Sequence, residues 1–562
     1  MHMNKIGFEI NLVRIISWSS LLATVVVSAW WSTEPVNYPK LLVISTAACA
    51  LLLSAIIPAF RKLYSNHRLL IGALLAFLLM ATLSTALSSD ELAQNFYGVH
   101  GRSTGFLAYF SLVLLMTSSV LVTKIESFNK VIRFFFIAGI VNVTYVFSEI
   151  LGFDFIPWKN VFGVPLGTLG NPNFIGALLG FLAVGLFATS LNSSSANRTR
   201  ILSLILLFVA LFEIDKTNAL QGFIVAAIGF MYIALLYIRS RTPSRFIQVG
   251  YIFLTACAGA LSLLGMLQVG PLKDLLYKSS ISLRGIYWNA GIKTGLSNFW
   301  TGAGMDSYGS WFRRSRDISK LGPDTWTNAA HNVVIDIFAS GGIFMLLSYL
   351  AFTLLIGVRI LQFVIKYREF DATFAILSGV WICYQSQSLI SINQIGLAIW
   401  GWVFGGLIVA YTSNGTFSRE LAATTKAQLL KKKKHEPELV DTKIMLSSIL
   451  GAIVGLSLAM PPFLADANWR LAMISKDEKK IEQALKQWPT DPVRLSSGMQ
   501  LYINNKMYEK AYEIAKVSTQ NFPNDYYSWY NYGYMPNISV TEKSEIEKQL
   551  KRLDPNNPKR PW

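Results

Sequence analysis

The sequence predicts an all-α protein: a polytopic membrane domain of about 13 helical spans, then an extracytoplasmic helical tail. Three observations carry that reading. The 562-residue chain is 52% hydrophobic and 15% charged, against about 25% charge in soluble proteins. Its apolar residues gather in blocks of roughly 20, the length of a membrane helix, and do not alternate as barrel strands would. After Pro462 the composition turns polar.

The expected spans lie near 11–30, 40–60, 69–88, 105–123, 131–152, 173–191, 201–214, 217–238, 246–268, 332–358, 372–391, 394–412 and 444–464. The first follows Lys5 and Arg14 without a small-x-small cleavage site, so it reads as an uncleaved helix. With the N-terminus in the cytoplasm, one set of loops collects Arg61, Lys62 and Arg68, then Lys124, Lys130 and Arg133, and later Lys431 to Lys434. The opposite loops hold mostly single bases, such as Lys40, Arg102, Lys159 and Lys216. That is the positive-inside asymmetry expected of a multi-pass membrane protein. The formal charge of +18 is thereby spent on topology, and no nucleic-acid partner is expected. Cys49, Cys257 and Cys383 sit inside apolar blocks without metal-ligand spacing.

Three divisions follow: a membrane domain over 1–464, a cytoplasmic basic loop over 413–443 and a tail over 465–562. An outer loop over 269–331 carries Arg284, Arg313, Arg314 and Arg316, bases that topology does not explain. The tail contains "WPTDP" at 488–492, "FPNDY" at 522–526 and "DPNNP" at 554–558. Pro489 and Pro523 are 34 residues apart, as are Asp491 and Asp525. A 34-residue period with proline turns is the tetratricopeptide pattern, which suggests a groove for a protein partner.

Of five histidines, only His100 and His331 fall on the outer side. His331 precedes Asn332, with Asp336 one turn further on. Such groups at the mouth of a span mark either a functional site or a helix cap beside an interfacial histidine. Arg102, between glycines, and Arg284, in "SLRGIYWNAG", are outward arginines. They suit either the phosphates of a lipid carrier or plain snorkelling to headgroups. Asn171 and Pro172 suit the start of a helix, and the polar run "CYQSQSLISINQ" at 383–394 suits hydrogen bonding between helices. No HExxH pair, P-loop or GxSxG elbow occurs, and no cofactor or metal is expected.

Over roughly 70–360 the order of motifs resembles the superfamily of O-antigen ligases, O-antigen polymerases and protein O-oligosaccharyltransferases. The resemblance rests on "GRSTGFLAYFSL", "GTLGNPNFIGALL", "LRGIYWNAGIKTGLSNFWTGAGMDSY" and "HNVVIDIFASGG". It implies transfer of a glycan from an undecaprenyl-diphosphate carrier to an acceptor hydroxyl on a glycan, lipid or protein, at the outer face of the membrane. It implies His331 as base, Arg284 and Arg102 as diphosphate ligands, and Asn332 and Asp336 as supporting or acceptor-binding groups. One departure stands out. Where the family usually has Ser-Arg-Gly, this chain reads "TNALQGF", with Gln221 at the arginine position and Lys216 five residues upstream as a substitute charge. The competing reading from another class is a polysaccharide transporter or flippase.

Overall fold

The computed structural model describes residues 5–276, 279–319, 325–413, 441–536 and 538–557. Lys431 to Lys434, most of the 413–443 loop and Pro558 lie outside them. Among the described residues all regular structure is helical.

The N-terminal half runs α1 (Lys5–Val25), α2 (Asn37–Leu51), α3 (Ile57–Asn66), α4 (Arg68–Leu87), α5 (Leu92–Tyr97), α6 (Phe106–Ser119) and α7 (Ile125–Ile150). Then come α8 (Pro172–Leu191), α9 (Asn197–Lys216), α10 (Leu220–Arg241) and α11 (Arg245–Met266). The expected outer loop folds into α12 (Lys273–Leu276), α13 (Ser279–Ser297) and α14 (Tyr308–Ser315). The bundle finishes with α15 (Val333–Lys366), α16 (Ala372–Ser388), α17 (Ile395–Ser413) and α18 (Thr442–Ser475). The tail is α19 (Glu478–Lys486), α20 (Pro492–Asn504), α21 (Tyr508–Asn521), α22 (Tyr526–Gly533) and α23 (Val540–Leu553).

Each expected span coincides with a helix, and ten helical segments among the described residues are long and apolar enough to cross a membrane. Three fall outside that set for visible reasons. Helix α6 has 14 residues and α16 has 17, while α9 carries Arg198, Arg200, Glu213, Asp215 and Lys216 at its ends. Lys40, expected in a loop, lies inside α2. It is fully buried and donates to the carbonyls of Thr24 (2.9 Å) and Val26 (3.0 Å), where α1 ends. An ammonium is well placed against such exposed helix-end carbonyls.

Two features of the fold fix the end of the bundle beside the tail. The first is a break in α15. Gly342 takes φ +72°, which L side chains rarely adopt, and interrupts the helix. The carbonyls of Ala339 and Ser340 are satisfied from outside: the N–H of Ala303 donates to Ala339 (2.8 Å) and that of Gly304 to Ser340 (3.1 Å). The Ile343 N–H donates to Phe299 (2.8 Å). The glycine-rich loop at 301–304 is thus stitched into a helix that opens to receive it. Only glycine fits there: a Cβ on Gly302 would lie 2.0 Å from the Ser340 carbonyl oxygen.

The second feature is the docking of the tail. Gly451 and Gly455 let α18 approach α2 so closely that a Cβ on either would lie 2.2 Å from a backbone oxygen of α2. Close backbone approach through small residues is the usual basis of helix association in membranes. Above this contact, Asp466 of α18 accepts from the backbone of Thr33 (2.6 Å) and Glu34 (3.0 Å). The bases left over from topology have their use here. Arg313 and Arg316 both pair with the buried Asp554 at 3.1 and 2.7 Å, and Arg314 donates to Asn524 at 2.8 Å. Asp491 and Asp525, in equivalent places in the tail, cap α20 and α22 by accepting from the N–H of Arg494 and Ser528.

Replacing Gly302 by alanine forces a left-handed backbone and a clash with main chain, so it should cost at least about 1–3 kcal/mol from backbone strain alone. Gly72→Ala, where nothing lies within 4 Å of the new carbon, should leave stability unchanged or slightly raised. Thermal unfolding of the two detergent-purified variants, compared with the parent, checks both.

Candidate active site

The loop 98–105 enters the tail-bearing end of the bundle between α5 and α6. Gly98, at φ +93°, has no room for a Cβ beside the Thr104 N–H and the Asp306 carboxylate. Asp306 accepts from the Val99 N–H at 2.8 Å and is bonded to Thr104. Asn37 clasps the same loop from α2, donating to the Gly101 carbonyl at 3.0 Å. Asp306 itself hangs from the glycine-rich loop that α15 holds. The result is a fixed turn that aims Arg102 inward. Its Nε donates to Asn328 Oδ1 at 2.9 Å, and its terminal nitrogens have no hydrogen-bond partner among the described residues.

Arg284 comes from α13, whose neighbour is α15. One helical turn on, at Tyr287, the ring stacks on the His331 imidazole, with centroids 5.6 Å apart and planes at 29°. Residues three apart share a helix face, so Arg284 and Tyr287 both front His331. Arg284 has no ion-pair or hydrogen-bond partner among the described residues.

His331 stands just before α15 with φ +56°, an uncommon conformation for a residue with a side chain. Two neighbours hold it there. Asp336 accepts from the Ala330 N–H at 2.6 Å. Asn332 caps α15 by accepting from Val334 (3.0 Å) and Ile335 (3.1 Å), and donates to the Leu389 carbonyl at 2.9 Å. Asn332 is therefore a cap for α15 and a strut to the end of α16. No ring nitrogen of His331 is hydrogen-bonded among the described residues.

The electrostatics of the three groups are coupled. Burial lowers the His331 pKa first, and the nearby charges of Arg102 and Arg284 lower it further, to about 4. Its imidazole is neutral at neutral pH. Burial also disfavours the charge on both arginines. Asp306 and Asp336 offset this for Arg102; nothing comparable offsets it for Arg284. An unpartnered, partly desolvated guanidinium is a standing site for an anion.

The structure thus brings together His331, Arg102, Arg284 and Asp336. It does not add Lys216 or Gln221. The Lys216 ammonium sits 3.6 Å from Asp215 and over the Phe212 ring. The Gln221 amide is buried without a hydrogen bond, and neither touches His331, Arg102 or Arg284 among the described contacts. Asn171 caps α8, accepting from the Asn173 N–H at 2.9 Å. Gln394 and Asn393 bond Asn37 and Tyr384. Three residues of the site carried no sequence signal of their own: Asp306, Asn328 and Tyr287. The hints were an aspartate inside a glycine-rich loop and a tyrosine one turn after an outward arginine.

Residues 202–350 match the O-antigen ligase family model. That segment runs from α9 into α15 and encloses Arg284, Asp306, Asn328 and His331, while Arg102 lies before it. No curated protein sequence matches the chain. The chain is a multi-helical membrane protein in which residues 202–350 are similar to the O-antigen ligase family.

Proposed function

We propose that this protein is a glycosyltransferase of the bacterial inner membrane, with its N-terminus cytoplasmic and its tail outside, that hands a glycan from an undecaprenyl-diphosphate carrier to an acceptor hydroxyl. The observation that carries the reading is a neutral imidazole flanked by two guanidinium groups that lack carboxylate partners. A diphosphate is the anion such a pair suits, since each planar fork offers two parallel donors.

In this scheme the acceptor oxygen attacks the anomeric carbon from the face opposite the diphosphate. The acceptor O–H proton passes to His331, the new C–O bond forms, and the bond from the anomeric carbon to the diphosphate oxygen breaks. Attack from behind inverts the anomeric centre. The leaving group departs as an anion, so stabilising its charge replaces the need for a general acid. Arg284 and Arg102 do that, and Asp336 keeps the His331 turn in place.

The depressed pKa of His331 has a purpose in this scheme. A base near 4 is weak, but bound diphosphate cancels part of the field of the two arginines and raises the pKa again. The imidazole becomes a stronger base once the donor is seated. The tail, read as degenerate tetratricopeptide repeats, governs the acceptor rather than the chemical step.

His331→Ala should lower turnover about 100- to 10,000-fold, the usual range for a lost general base, while binding of the carrier-linked donor persists. A transporter or flippase would be little affected. Transfer assays in proteoliposomes, with product detected by mass spectrometry, distinguish these outcomes. Arg284→Ala should cost about 100- to 1,000-fold, with donor binding weakened as well.

The pH profile follows from the sign of the shift. Because the neutral form is active and its pKa is depressed in the free protein, kcat/KM should hold as pH falls from 7 and decline only toward about 4. The acid limb of kcat should lie at higher pH, since the donor is then bound. Steady-state rates between pH 4 and 8 test the order of the two limbs.

A further inference from the structure

Between the tail and the outer loops lies a cavity of about 310 Å³. Its walls come from the 93–100 segment that leads to Arg102, the start of α14 with the stretch before His331, and tail residues 489–497 and 522–527, with Tyr38 of α2 and Pro462 of α18. Tyr97, Trp326 and Tyr527 line it with aromatic rings, and Gln94, Asn328 and Thr490 with neutral polar groups.

The charged groups in its walls are already engaged. Arg494 donates to the carbonyls of Gln487 (2.7 Å) and Pro489 (2.5 Å) and lies 3.8 Å from Asp491. Asp491 also caps α20, and Asp525 accepts from both the N–H and the hydroxyl of Ser528. His100 also lines it, its ring edge-on to that of Tyr38; beyond that imidazole the lining offers ring faces and neutral hydrogen-bonding groups, and no free ammonium, guanidinium or carboxylate. A phosphate finds no free ammonium or guanidinium there. A hydroxyl-rich neutral ring suits the lining, because aromatic faces cover its C–H surface while amides and hydroxyls meet its O–H groups.

Asn328 ties the cavity to the candidate active site. It lines the cavity, and its Oδ1 holds Arg102 Nε. The cavity lies on the tail side of the Arg102 loop, whereas a lipid-linked donor must come from the bilayer.

We propose that this cavity is a sugar subsite that holds the acceptor glycan, with its terminal hydroxyl directed past Asn328 toward His331. The proposal rests on the glycosyltransferase reading for the word acceptor; binding of neutral sugar in the cavity does not require turnover.

Saturation-transfer NMR on the full-length, detergent-purified His331→Ala protein tests it, with envelope glycan released from the source strain by mild acid as the probe. Glycan signals should appear in that background. They should fall about tenfold in affinity when Trp326→Ala removes the ring face or Ser497→Trp fills the rim, and return with Trp326→Phe. In the active protein, Trp326→Ala should raise the acceptor KM and leave kcat and the donor KM unchanged. Unaltered glycan binding in both cavity variants would overturn the proposal. So would absence of glycan signals in the parent, or saturation by a digest of envelope proteins in place of glycan. If the glycan binds but His331→Ala still transfers, the chemical mechanism fails and the subsite stands.

Discussion

Everything at the tail-bearing end of this protein depends on holding two unneutralised guanidinium groups beside a neutral imidazole in partly dry surroundings. Left alone, that arrangement is costly. Withdrawing a cation from water without a partner costs several kcal/mol, as an order of magnitude, and like charges nearby add to it. The fold tolerates this because Asp306 and Asp336 lie close enough to Arg102 to favour its charge without forming an ion pair with it. Arg284 lacks even that relief. An uncompensated guanidinium of this kind favours a bound anion.

The geometry is enforced by backbone rather than by long side-chain chains. Helix α15 breaks at Gly342, the glycine-rich loop fills the break, and Asp306 on that loop fixes the turn bearing Arg102. The same helix begins at the Asn332 cap, with His331 one residue before it. One element thus sets the positions of both His331 and Arg102. The tail is fastened over this end by buried ion pairs to Asp554, so it forms one wall of the space next to the site. Removing one partner of this buried cluster of two arginines and an aspartate would leave an uncompensated charge in a dry interior.

The spans were legible in the sequence because the bilayer imposes length and apolarity on each one. The candidate base and both arginines were legible because ionisable groups are scarce at span mouths and stand out. What could not be read were contacts between distant segments. The pairing of Arg313 and Arg316 with Asp554 joins residues some 240 positions apart, and local pattern is silent on that. Lys40 looked like a loop base because its segment begins beside one; its burial depends on where α1 ends. Lys216 looked like a replacement for the arginine absent at position 221, yet its neighbour Asp215 lies within ion-pairing distance. Asp306 was hidden for a similar reason: its partners Val99 and Thr104 are some two hundred residues away.

The most direct test of the central claim is to titrate the His331 imidazole itself, by NMR of protein carrying ring-labelled histidine, with His331→Gln to assign its signal. The account predicts an inflection near pH 4, moving toward the ordinary histidine value of about 6.5 when Arg102 and Arg284 are both replaced by glutamine. A parent inflection already at the ordinary value, or one that stays put when both arginines are removed, would contradict it.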